Sequence, residues 1–429
     1  MEDYAQALTY AIPIFLLLIG MEALISWRMG IEINRGPDMI SSMSSGVTNI
    51  IKDVLGLSIV IVSYTWLVER VALFEIQNAW YVYVIAFVAK DFAGYWIHRL
   101  EHTINFLWNR HIIHHSSEEF NLSCALRQSI SEVFSYVTIF LIPAALLGIP
   151  GQVIAVIAPI QLFAQFWYHT RLINKMGWLE HLMVTPSHHR VHHAINPEYI
   201  DKNYGQIFIL WDKWFRTFQP ELEEVPAVYG VKRPVHTWNP FLINFQHFWL
   251  LLADAIKARN WRDKIKIWFM PTGWRPLDVA STYPVTIISD VFRIVKYDSA
   301  ISKPLLKWSW IQWWVILVLS LFLFFRFAEI GLPGAFLYGL YIFAAVFSMT
   351  SLMDKASYAW VAEGIKFLIS IILLYLGQGD WFGISTVIPF ANYFVAAYIV
   401  TSLSVSLYFQ YAEVRRWNIG LSAQKIVGS

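Results

Sequence analysis

Runs of about 20 mostly apolar residues recur along this 429-residue chain, and nothing else limits its folding so strictly. A segment of that length suits the hydrocarbon core of a bilayer. Inside lipid its backbone has no water to bond, so every N–H and C=O must be satisfied internally, as a helix does. The runs predict spans at roughly 8–27, 47–68, 79–97, 129–148 and 151–169. Four more are expected at roughly 306–325, 333–350, 357–377 and 385–409. Composition agrees. Charged residues make up 14% of the chain, against about 25% in ordinary soluble domains, and the mean hydropathy is +0.48. The expected architecture is an all-α integral membrane protein of about nine transmembrane helices, in two parts. Residues 1–305 form a catalytic membrane region and 306–429 a C-terminal four-helix membrane region.

Charges within and between the spans refine this picture. Lys90, Asp91 and Lys366 fall inside predicted spans and are expected to face protein or water, since lipid tolerates them poorly. The Gly148–Gly151 stretch, GIPG, reads as a tight turn between the fourth and fifth spans. The long segment 171–305 is rich in Lys and Arg, among them Arg190, Lys202, Arg216, Lys257 and Arg262. Basic loops stay in the cytosol. The acidic start (Glu2, Asp3) is then outside, while this segment and the C-terminal Arg415, Arg416 and Lys425 are inside. The acidic start also argues that the first apolar run is a retained span and not a cleaved signal. Residues 240–269, with Trp249, Trp261, Trp268 and Phe269 among basic residues, suit helices lying in the membrane interface. A net charge of +2 gives no sign of nucleic acid as a partner, and the single Cys124 excludes an intrachain disulfide. Oligomeric state is left open.

Chemistry enters with the histidines. All 13 except His236 and His247 lie between His98 and His193, mostly in three groups: HRLEH (His98, His102), HIIHH (His111, His114, His115) and HHRVHH (His188, His189, His192, His193). Residues three or four apart share a helix face, so each group can aim two or three imidazoles at one point. Burying unpartnered imidazoles is costly, and clustered ones repel once protonated. A metal ion removes both difficulties. There are no cysteine pairs for a structural zinc site, no HExxH, and too many histidines for one ion. Redox-active iron, as two ions with positions left for dioxygen, fits such a neutral-nitrogen shell. These groups would form a histidine-rich helical cap on the cytosolic face. Asp91, Glu101, Glu118, Asn121, Arg127, Gln128 and Asn203 could steady ligand imidazoles or contact a cofactor or substrate head. Isolated His236 and His247 are read as structural, as is His181. A metal transporter would place its ligands at bilayer depth on several spans, whereas these sit at span ends.

The order His98-x-x-x-His102, His111-x-x-His114-His115, His189-x-x-His192-His193 resembles the histidine boxes of the membrane fatty acid hydroxylase and sterol desaturase superfamily. The flanks His114–Ser129, Tyr168–His193 and Asp201–Phe218 resemble its alkylglycerol (glyceryl-ether) monooxygenase branch. That resemblance implies a di-iron enzyme using dioxygen and tetrahydrobiopterin on a membrane lipid substrate. The reaction it implies is hydroxylation beside the ether bond of a 1-O-alkylglycerol, giving fatty aldehyde and glycerol. It also implies that His169 and His188 join the metal-binding set. At the position after His102, where animal members carry an acidic residue connected with pterin use, this chain has Thr103. A sterol, fatty acyl or aminolipid substrate is the alternative.

Overall fold

The computed structural model describes residues 2–76, 79–132, 134–415 and 417; the sequence's Arg416 and Lys425 lie outside them. The described residues are mostly helical. The main helices are α1 (Glu2–Met29), α2 (Gly36–Val54), α3 (Tyr64–Val71), α4 (Trp80–Thr103), α5 (Asn105–His115) and α6 (Gly151–Phe166). They continue with α7 (Pro186–His193), α8 (Pro240–Lys257), α9 (Lys303–Phe325), α10 (Phe327–Met353), α11 (Ala359–Leu376) and α12 (Ala391–Phe409). Five helical stretches among the described residues are long and apolar enough to cross a membrane: Tyr4–Met29, Lys303–Phe325, Phe327–Met353, Ala359–Leu376 and Ala391–Val414.

Two expected spans are corrected. Residues 47–68 are not one helix: α2 stops at Val54, Gly56 turns with φ +63°, and Ile59–Val60 pair in parallel with Phe134–Ser135. Residues 129–148 break in the same way, because Ser129 and Ile130 are held off-helix by the Asn244 side chain. The rest of that run forms only two short helical pieces, Val137–Phe140 and Ile142–Leu146. Hydropathy registers the apolar side chains but not these interruptions of the backbone. The expected turn at Gly148 is present, with φ +77°. A Cβ there would fall 2.0 Å from the Phe74 carbonyl oxygen, so only glycine fits. The third span is α4, longer than expected, and the fifth is α6, only 16 residues.

The largest apolar core joins α2, α9, α10, α11 and α12 around Trp313, Tyr338, Tyr341 and Trp381. Helix α2 is the seam of the molecule. It packs on α9 and α10 on one side, and on α8 and the Cys124–Leu126 turn on the other. Its serines face inward for that reason: Ser42 accepts from Arg127 Nε at 2.9 Å, and Ser45 donates to the Gln128 carbonyl at 3.0 Å. Half-buried Lys90 and buried Asp91 satisfy their charges on protein, as expected. Lys90 donates to Gln161 Oε1, and Asp91 accepts from the backbone N–H groups of Ile207 and Phe208 and from Trp211 Nε1. Residues 240–269 hold α8 and the short helix Trp261–Lys266, with Trp249, Trp261 and Phe269 exposed.

Candidate metal centre

Helices α4, α5 and α7 converge with the end of α6, and the way they meet divides the imidazoles into two groups. His98 and His102 are one turn apart on α4, as are His111 and His115 on α5; with His192 of α7 they form the first group. His114 lies on the next face of α5 and meets His189 and His193, one turn apart on α7, with His169 just past α6. Within each group one nitrogen per ring lies within 4.8 Å of all the others. The groups share two helices and touch, His115 stacking on His193 with ring centroids 4.2 Å apart.

The nitrogen geometry is that of a ligand shell. In the first group His98 Nε2 is 3.0 Å from His111 Nε2, and His115 Nε2 is 3.1 Å from both His102 and His111. In the second, His169 Nε2 is 2.8 Å from His189 and 3.3 Å from His114, while His193 Nε2 is 3.0 Å from His189 and 3.1 Å from His114. Nitrogens about 2.0–2.1 Å from a shared ion and roughly 90–110° apart stand about 2.9–3.4 Å from one another.

Protons decide between a hydrogen-bonded cluster and a shell for cations. His98 Nδ1 lies 2.8 Å from the Tyr204 carbonyl oxygen and His192 Nδ1 3.0 Å from that of Lys202. His169 Nδ1 meets the Gln165 carbonyl at 2.9 Å, His114 Nδ1 the Arg127 carbonyl at 3.3 Å, and His111 Nδ1 lies 3.4 Å from a Glu101 carboxylate oxygen. Carbonyls and carboxylates only accept, so these Nδ1 atoms carry the ring proton and the Nε2 atoms are bare. Bare nitrogens then face each other at His98–His111 and at His114–His169, and His192 Nε2 is buried with no partner. Nor can protonation resolve this. Burial pushes His114 down to about 3, with His98 adding repulsion, and burial holds His111, His115, His189, His192 and His193 well below the usual imidazole range. A bound cation in each group satisfies every one of these nitrogens, so the residues fit two metal ions.

Known proteins match this stretch of the chain. A fatty acid hydroxylase family model matches residues 83–217, the stretch that holds both groups. The human alkylglycerol monooxygenase is 33% identical over 381 residues, 88% of this chain and 84% of that protein. The zebrafish enzyme (Danio rerio) is 37% identical, covering 64% of this chain and 61% of its own length. This chain belongs to the alkylglycerol monooxygenase family. As a member it is a lipid monooxygenase set in the membrane. An ornithine lipid hydroxylase of Rhizobium tropici is similar over a shorter stretch, 30% identical across 32% of this chain and 41% of its own. No solved structure matches.

Within this family member, the remaining candidate residues fall into distinct places. His188 belongs to neither group; its ring edge meets Phe218 with centroids 5.5 Å apart. Glu101 stands behind His111, fixed by Arg110 and by the Tyr136 hydroxyl at 2.9 Å. Arg127 reaches the site through its carbonyl, while its guanidinium pairs with Asp38 at 2.7 Å. Asn203 donates to the His188 carbonyl and to that of Gln219. Asp91, Glu118, Asn121 and Gln128 bind backbone or polar groups away from the imidazoles: Asn121 donates to the Ile33 carbonyl, Gln128 to that of Ala125, and Glu118 accepts from the Tyr297 N–H. His247 meets the Asn105 carbonyl and His236 stacks on Tyr297. Sequence reasoning missed Trp108, packed on His102 and His115, and buried Asp212. The one signal for Asp212 was an acid inside the apolar run 207–215.

Proposed function

We propose that the two histidine groups each hold an iron ion and that the enzyme hydroxylates the carbon beside the ether oxygen of a 1-O-alkylglycerol. One atom of dioxygen enters that C–H bond. The other leaves as water, with two electrons and two protons supplied by tetrahydrobiopterin; the hemiacetal then collapses to a fatty aldehyde and glycerol. Nine residues are the ligands, His98, His102, His111, His115 and His192 in one group and His114, His169, His189 and His193 in the other. Iron when bound supplies the redox chemistry. The chain's residues position it: the carbonyls of Lys202, Tyr204, Gln165 and Arg127, with Glu101, hold the ring tautomers, and burial keeps the imidazoles neutral. The carrying observation is the pairing of bare Nε2 atoms across buried rings.

The catalytic face is cytosolic in this reading. The chain crosses about nine times, with 55–71 and 134–146 as broken crossings whose ends meet where Leu73 N donates to the Leu146 carbonyl. Residues 1–305 are the catalytic part and 306–429 a supporting four-helix part. An amphiphilic substrate suits a site at the helix ends, its tail in lipid and its head near water. The similarity to an ornithine lipid hydroxylase favours another membrane lipid as the second reading.

An aldehyde assay tests both. Iron-loaded protein receives a 1-O-alkylglycerol, air and tetrahydrobiopterin, with His192→Ala as control. Pterin-dependent aldehyde absent from the control is the expected result. No aldehyde from protein that still holds two irons moves the reading to another lipid or another electron donor, with Thr103 the first position to restore to an acid.

A further inference from the structure

The two histidine groups differ in what steadies them. Two of the first group's five rings are tied to one strap, residues 201–218, through the Lys202 and Tyr204 carbonyls that accept from His192 and His98. The second group's rings use carbonyls elsewhere, at Gln165 and Arg127. Just before each of the two strap carbonyls the backbone turns left-handed, with φ +58° at Asp201 and +55° at Asn203, a conformation that most side chains resist. Something must hold it.

We infer that Asp212 is the residue that holds it, and so is a positioning residue for the metal ion of the first group alone. Its carboxylate is fully buried and has no cation in contact among the described residues. Oδ1 accepts from Tyr204 N and Thr217 Oγ1, and Oδ2 from Gly205 N, each at 2.7 Å. Its own carbonyl accepts from Thr217 N at 2.8 Å, and the Thr217 carbonyl returns to Asn203 N at 3.0 Å. Every one of these bonds closes the strap on itself around the stretch 202–204. The fit is tight, since a Cβ at Gly205 would fall 2.7 Å from the Phe208 carbonyl oxygen and 2.9 Å from Asp212 Oδ2. A buried carboxylate with no cation in direct contact is costly, and here its hydrogen bonds go to Tyr204 N, Gly205 N and the Thr217 hydroxyl, all within the strap whose two carbonyls set the His98 and His192 tautomers. Groups that orient ligand imidazoles in this way govern metal affinity.

The inference rests on the two-metal reading, and its test separates the two. Purified full-length protein is loaded anaerobically with iron(II); iron per chain is counted, and release to excess chelator is followed. Wild type should hold two ions released in two phases. Asp212→Asn, which presents an N–H₂ to donors that need an acceptor, should speed one phase by about 10–100-fold and leave the other unchanged. Thr217→Val removes a single donor and should act in the same direction more weakly; it decides the matter if Asp212→Asn does not fold. Unchanged release of both ions would overturn the inference, and so would equal loosening of both, which would make Asp212 a general support. Wild-type protein that takes up no iron would bring down the metal reading itself, and this inference with it.

Discussion

Two of the polar clusters buried in this molecule solve the problem of burial in opposite ways. In the C-terminal helices Lys366 Nζ stands 2.7 Å from Glu363 Oε1 and 2.7 Å from Ser402 Oγ, while Ser348 and Ser402 donate to the same carboxylate. Charge meets opposite charge, donors meet acceptors, and the cluster is complete from its own side chains. Between α4, α5 and α7 the histidine groups gather like with like. Of the five imidazoles in one and four in the other, His98, His192, His114 and His169 give their Nδ1 protons to carbonyls, His111 turns Nδ1 to Glu101, and lone pairs are left facing inward. The first cluster is finished without help. The second is finished only by a cation from outside the chain.

The largest effect should come from removing a nitrogen on the incomplete side. His192→Ala and His114→Ala each delete a ligand from a different group, so oxidation should fall to background and iron content should drop, read by aldehyde formation and metal analysis. Full activity in either would end the ligand assignment. Stripping the ions with chelator comes next. Binding to the folded state at about a thousand times Kd contributes about 4 kcal/mol, so the apo-protein should unfold at a lower temperature. Hydrogen exchange should rise over 98–193 and stay unchanged over α9 to α12; a uniform rise would mean that the two clusters are not independent.

A smaller effect is expected on the self-complete side. Lys366→Met leaves the Glu363 carboxylate unpaired inside the helices, a loss of about 3–5 kcal/mol when one partner of a buried pair is removed. Replacing both Lys366 and Glu363 with Met should recover most of that loss. Denaturant unfolding with metal analysis checks the contrast, since both variants should keep two ions. Loss of iron in Lys366→Met would tie the bundle to the site.

This contrast also marks what could be read from residues alone. That these histidines gather in one place was legible because the spacing of His98/His102, His111/His115 and His189/His193 is a helix turn, and a turn maps sequence onto one face. The division of His114 from His115, and of His192 from His193, between separate groups depends on how α5 and α7 meet, which no local period encodes. The atoms that set the tautomers are backbone carbonyls of Gln165, Lys202 and Tyr204, and a carbonyl leaves no trace in residue type. Spans α9 to α12 were legible as long apolar runs. The runs at 47–68 and 129–148 looked the same, but Gly56 and the hold of Asn244 on Ser129 and Ile130 interrupt them.

The smallest effect is the sharpest test of the histidine geometry. His188 has the same residue type as its neighbours and sits one position from His189, yet one position along a helix is about 100° of rotation. That rotation takes its ring out of both groups and onto Phe218, with Nδ1 buried and unpartnered. His188→Ala should therefore keep both ions with wild-type release and lose only packing, about 1 kcal/mol in unfolding. If iron falls by one ion per chain, the α7 surface has been assigned wrongly. His188 would then rejoin a ten-ligand centre, and α7 would have to turn about its axis when metal binds.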